Sequence, residues 1–205
     1  MEFIYQIDNH LPKDLCEKMI EKFDNDPNVV KSSVGNGDGS NVNNRVDDQI
    51  RKSDILHITG MKEWDEIDVL LHKNLEDGMK KYKTYLENLV GVDKVVEHVF
   101  QSIKIDSGYD IQRMKKNDFY TWHIDEFLNC NTNTQRVVTA MWYLNTLDED
   151  DGGVTEFWMK KGIRPKQGTL LFFPSNWNYI HRGGIVKNDV TKYTCITWLI
   201  NTTTK

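Results

Sequence analysis

The chain has 205 residues, of which 39% are hydrophobic and 28% charged, with a formal net charge of -5. This composition is that of a folded protein with a sizeable core, in one large domain or two small ones, and excludes a largely disordered chain. The acidic balance, with no long basic run, argues against a general nucleic-acid or anionic-membrane binder.

The first eight residues, Met1 to Asp8, show neither a basic leader nor a long apolar segment, so no secretory signal is expected, and no stretch reaches the length of a membrane span. Cys16, Cys130 and Cys195 are odd in number and far apart. They fit a reducing compartment, here the cytoplasm, without a disulfide frame or a zinc knuckle.

A short strand is expected over Phe3–Ile7, followed by a helix from about Pro12, where Leu15, Met19, Ile20 and Phe23 recur at helical spacing. Ser32 to Asp48 is turn chemistry throughout and reads as a long mobile loop, a candidate lid. Glu63 to Val90 is the clearest helix. Trp64, Ile67, Leu71, Leu75, Met79, Tyr82, Leu86 and Leu89 mark its apolar face, and Gly91 is placed to cap it.

From Val95 onward the pattern changes to short runs rich in β-branched and aromatic residues: Val95–Ile105, Asp110–Met114, Phe119–Ile124, Arg136–Leu144, Val154–Trp158, Gly168–Phe173, Ile180–Val186 and Lys192–Ile200. Eight strands at this spacing predict a β-sandwich or barrel. The expected architecture is a single domain over 1–205, mostly β with flanking α. Helical support occupies about 1–94 and packs on the outer face of a β-core at about 95–201.

His123 and Asp125 stand two positions apart in Phe119-Tyr-Thr-Trp-His-Ile-Asp, and His181 follows 58 residues later. Residues i and i+2 of a strand share a face, so His123 and Asp125 can point together if the strand continues to Asp125, with His181 reaching them across the barrel. Two imidazoles and a carboxylate on one side of a metal leave its other side open, which is the ligand set of a non-haem Fe(II) oxygenase. The tripeptide alone carries little, because chance supplies a His-x-Asp in many chains. Zinc with a water in its fourth position is the alternative for the same three residues. Lys192 opens the last strand, on the face of Ile196 and Trp198. Facing inward, it needs an anion such as a dicarboxylate; at the strand mouth, it simply reaches water.

At these residues the sequence resembles the Fe(II)/2-oxoglutarate-dependent dioxygenases, in their prolyl 4-hydroxylase-like branch. The resemblance runs from about Asp110 to Leu199, through Gln135-Arg-Val-Val-Thr-Ala-Met-Trp-Tyr-Leu-Asn, Asp151-Gly-Gly-Val-Thr-Glu-Phe, Pro165-Lys-Gln-Gly-Thr-Leu-Leu-Phe-Phe-Pro, His181-Arg-Gly-Gly and Lys192-Tyr-Thr-Cys-Ile-Thr-Trp-Leu, with Arg51-Lys-Ser53 as a weaker element. It implies a double-stranded β-helix, or jelly roll, in which His123, Asp125 and His181 bind Fe(II). It further implies that Lys192 meets the distal carboxylate of 2-oxoglutarate, aided by the Tyr143 hydroxyl, with Thr194 lining the same pocket. Tyr120, Arg136 and Trp198 fall on the substrate side. The chemistry implied is hydroxylation of a C–H bond with 2-oxoglutarate and O2 as co-substrates, and ascorbate as a further candidate cofactor.

The expected substrate is a proline-containing, proline-rich peptide or protein, with no nucleic acid or membrane as partner. Another amino-acid side chain, a free amino acid or a small molecule is the alternative. A non-catalytic jelly-roll binding protein is the reading from a different class. The sequence departs from the branch in carrying Arg113 and Met114 where many relatives have a 2-oxoglutarate-contacting tyrosine, Asp118 for a glycine, and one extra residue between His181 and Lys192.

Overall fold

The computed structural model describes residues 3–35, 45–90, 93–129 and 132–202. Its strands in chain order are β1 (Tyr5–Ile7), β2 (Val30–Lys31), β3 (Arg51–Lys52), β4 (Asp54–His57), β5 (Ile103–Asp106), β6 (Asp110–Met114), β7 (Phe119–His123), β8 (Leu128–Asn129), β9 (Thr134–Tyr143), β10 (Thr155–Phe157), β11 (Lys161–Ile163), β12 (Leu170–Pro174), β13 (His181–Gly183) and β14 (Lys192–Thr202). The helices are α1 (Lys13–Asp24), α2 (Asp65–Val90) and α3 (Asp93–Ser102).

Two antiparallel sheets form the β part. The larger runs β1-β12-β9-β14-β6-β4-β2, with β5 also on β14 and β8 on β9; the smaller runs β11-β10-β13-β7-β3. This is the jelly roll expected from the sequence, with the helices on the outer face of the larger sheet.

Period-two alternation divides the larger sheet into two faces. On β14, Tyr193, Cys195 and Leu199 join the helix-side core, while Lys192, Thr194, Ile196 and Trp198 line a cavity between the sheets. On β9, Val138, Ala140 and Trp142 face the helices, and Met141 and Tyr143 face the smaller sheet. The helix-side core is the larger and takes Leu15, Cys16, Met19 and Phe23 from α1 and Ile67, Leu71, Leu75 and Tyr82 from α2. A second cluster, including Phe157, Ile163, Leu171 and Phe173, fills only part of the space between the sheets. The rest remains open.

Three differences from the sequence reading have physical causes. Residues 93–102 are helical, not the start of a strand. Val96 and Phe100 are four apart and share one helical face, and the Phe100 ring meets Tyr82 of α2 edge-on at 6.0 Å, so packing overrides the β-branched composition. The N-terminal part is more than helical support. Here β1 pairs β12, β4 pairs β6, and β3 pairs β7, so both sheets draw strands from it. Finally, β7 ends at His123 rather than running on to Asp125.

The apolar face of α2 is as expected except at Leu89, which is exposed, and the Gly91 cap lies outside the described residues. Within the expected 32–48 loop, Val34 bridges to Arg45; residues 36–44 lie outside the described residues. Among the described residues no helix is long and apolar enough to cross a membrane.

Candidate metal centre

His123 and His181 sit directly opposite each other on neighbouring strands of the smaller sheet, in register across β7 and β13. They are therefore neighbours along one sheet rather than partners across a barrel. Their rings lie 4.2 Å apart. Each ring is fixed by its own chain: His123 Nδ1 lies 2.8 Å from the Thr121 carbonyl and His181 Nδ1 lies 3.0 Å from the Tyr179 carbonyl. A carbonyl only accepts, so each Nδ1 must donate, which leaves each neutral ring with its lone pair on Nε2.

Both Nε2 atoms face one carboxylate. His123 Nε2 is 3.7 Å from Asp125 Oδ1, and His181 Nε2 is 3.6 Å from Asp125 Oδ2. Asp125 stands just past the end of β7 and is aimed by Thr139 on β9, whose hydroxyl donates to Oδ2 at 2.7 Å. One donor atom from each of the three residues falls within 4.8 Å of the others. Free Nε2 lone pairs, a shared carboxylate and hydrogen bonds behind every donor fit a metal ion held from one side.

The electrostatics agree. Burial, together with the neighbouring His181, lowers the His123 pKa to about 4, so its ring is neutral and able to ligate at neutral pH. Burial pushes the Asp125 carboxyl up, but the two imidazoles and the Thr139 hydroxyl outweigh it and hold the group below its ordinary range. The Trp198 indole N–H acts in the same direction without reaching hydrogen-bond geometry.

The triad opens into a cavity of about 730 Å³ that also receives Lys192, Thr194, Tyr120, Arg136 and Trp198. Lys192 is only 3% exposed, so it faces inward and does not reach water at the strand mouth. Among the described residues no carboxylate lies within ion-pair distance of it, and its ammonium stands 5.6 Å from the Tyr143 ring centroid. Burial lowers its pKa to about 8. A buried cation with no carboxylate partner, lining a cavity, is the expected complement of an anionic ligand. Tyr143 lies beside Lys192 but does not line the cavity. Its hydroxyl donates to Thr155 Oγ1 at 2.8 Å, and Thr155 forms the wall there.

Tyr120 stacks on His123, with centroids 3.6 Å apart. The Arg136 guanidinium lies over the Trp198 ring at 3.6 Å. Arg51 enters from β3, 4.7 Å over the Tyr120 ring. Among the described residues, two buried donors lining this cavity have no acceptor, Arg51 Nη2 and Trp198 Nε1. The sequence placed Arg51 only in a minor family element. Thr139 and Thr155 stand in runs that carry the resemblance, but their roles were not legible, because these come from sheet register and from residues distant in the chain.

Residues 109–200 match the family model of the 2OG-Fe(II) oxygenase superfamily. No curated protein sequence matches the chain significantly. Solved structures share its fold at low identity. The viral collagen prolyl hydroxylase of Paramecium Bursaria Chlorella virus-1, in its 2-oxoglutarate complex, is 20% identical over 98% of this chain and 96% of that one, with a TM-score of 0.65. A Pseudomonas putida prolyl-4-hydroxylase is 16% identical over 96% and 91%, with a TM-score of 0.64. A Trichoplax adhaerens prolyl hydroxylase, in complex with a hypoxia inducible factor oxygen degradation domain peptide fragment, is 18% identical over 98% and 84%, with a TM-score of 0.69. Over residues 109–200 the chain is thus similar to the 2OG-Fe(II) oxygenase superfamily, whose members work with Fe(II), 2-oxoglutarate and O2, and it shares its fold with prolyl hydroxylases.

Proposed function

We propose that the chain is a hydroxylase whose His123, Asp125 and His181 hold Fe(II), and that its substrate is a prolyl residue of a proline-rich peptide or protein. The observation that carries this reading is the pairing, in one cavity, of three converging metal-ligating groups with the buried, unpartnered Lys192. When bound, the iron with 2-oxoglutarate and O2 supplies the oxidising power that puts one oxygen atom into a C–H bond while 2-oxoglutarate goes to succinate and CO2.

The protein's own residues bind, orient and exclude water. Lys192 takes the distal carboxylate of 2-oxoglutarate as its counter-ion. Thr194 and Thr155 offer hydroxyls from the adjoining wall, and Tyr143 holds Thr155 in place. Tyr120, Arg136 and Trp198 form the substrate side. Arg51 Nη2 and Trp198 Nε1 lack acceptors among the described residues, and an extended peptide, rich in backbone carbonyls, supplies them. The structural neighbours that act on prolyl residues support the same substrate class.

Further parts of this reading are one domain over 1–205, a cytoplasmic place of work, in keeping with the free buried thiols of Cys16 and Cys195, and ascorbate as a reductant. The test is succinate release with Fe(II), 2-oxoglutarate and O2, compared with His123→Ala, together with mass spectrometry of proline-rich peptides for the gain of one oxygen. Equal succinate from both proteins overturns the enzyme. Succinate release without oxygen gain on any proline peptide turns the reading to another side chain, a free amino acid or a small molecule.

A further inference from the structure

A second cavity, of about 340 Å³, lies against the first. Its floor and sides are apolar: Leu86 of α2, Val99 and Phe100 of α3, Val138 of β9 and Pro174 at the end of β12. Val99 remains 40% exposed, so apolar surface is left facing this groove.

Arg136 and Glu126 line both cavities. Glu126 directly follows Asp125, so the dividing wall stands about 3.8 Å of backbone from a residue of the metal centre. That wall is held in place. The Glu126 amide donates to the Ser175 carbonyl at 2.8 Å, and its Oε1 accepts from the Gln135 side chain at 2.8 Å. Arg136 is fixed by the Trp198 and Phe127 rings at 3.6 and 5.5 Å.

We propose that this groove is a specificity pocket for an apolar side chain of the substrate, a few residues along the chain from the residue that reacts. The proposal builds on the peptide-substrate reading above. An extended chain advances about 3.3–3.6 Å per residue, so a peptide reacting at the triad crosses the Arg136–Glu126 wall within a few residues. The wall then offers polar partners to its backbone, and the groove takes a leucine-sized side chain. The two residues shared with the metal cavity, Arg136 and Glu126, favour a segment of the substrate as occupant over a separate partner.

The test is binding rather than turnover. Fluorescein-labelled nonapeptides of Gly and Ser with a central Pro and a single Leu, walked through the flanking positions, are titrated into the full chain with Fe(II) and 2-oxoglutarate without O2. One Leu position should bind about ten-fold more tightly than its Ala counterpart, as expected for burying most of one aliphatic side chain. Val99→Lys should erase that preference, and Val99→Ala should reduce it. The absence of any Leu preference, including failure of every peptide to bind, overturns the pocket, as does a preference unchanged in Val99→Lys. A parallel series with Ala for the central Pro separates the two ideas. A Leu preference that survives there upholds the pocket and removes the prolyl reading.

Discussion

A buried ammonium without a carboxylate partner destabilises the protein that carries it. For Lys192 the sign is definite. Its pKa falls from 10.5 to about 8 on burial, so between these values the unfolded chain holds a proton that the native chain lacks. Its contribution to native stability rises with pH across that window and is lost as pH falls through 8. Lys192→Met is therefore expected to raise the Tm of the protein without 2-oxoglutarate by about 3–6 °C at pH 7, and to abolish the extra stabilisation that 2-oxoglutarate gives. Scanning fluorimetry measures both effects, and a lowered Tm would contradict the burial cost. In the wild type, the Kd for 2-oxoglutarate should weaken from pH 7 to pH 9 as the ammonium loses its proton, which calorimetric titration can follow. Thr139 acts through Asp125. Thr139→Val should leave the circular dichroism spectrum unchanged while Mn(II) affinity drops about 10–100-fold, because the carboxylate loses the hydrogen bond that aims it.

Helix α2 shows how close the packing is between an element and the sheet beneath it. A Cβ built on Gly78 would lie 2.5 Å from Leu170 Cδ2 and 3.1 Å from Phe172 Cε2, both in the core. Gly78→Val is expected to lower stability by about 2–3 kcal/mol, read from a urea midpoint shift, even though glycine is itself a poor helix former. The 3.6-residue pattern of α2 and the period-two pattern of β14 were legible in the sequence because each has one wet or polar face and one dry face. Residues 93–102 were not, since their five positions of Val, His and Phe suit a strand or a helix until Tyr82 is there to pack on. The triad was legible in its members but not in its aim. His123 and Asp125 do not share a strand; Thr139, distant in the chain, turns the carboxylate toward the rings. Of the N-terminal strands β1 was read from the sequence, but two-residue strands such as Arg51–Lys52 were not, because they have no period of their own.

At the scale of the molecule, the larger core lies between the helices and the outer face of the larger sheet, and the metal cavity lies on the inner face. Ligands that bind only the native state add to its stability by mass action. Mn(II) at about 100 times its Kd should add about 2.7 kcal/mol, and a chelator should remove it. His123→Ala should show no such response in a thermal melt. The same division has a longer consequence. Tyr120 and Arg136 line the metal cavity and lie outside the helix-side core, which sits behind β9 and β14. On the proposed reading, substrate preference is expected to be redrawn by mutation at such cavity-lining positions with small loss of foldedness, which would make this scaffold a tolerant starting point for directed evolution toward new C–H bonds.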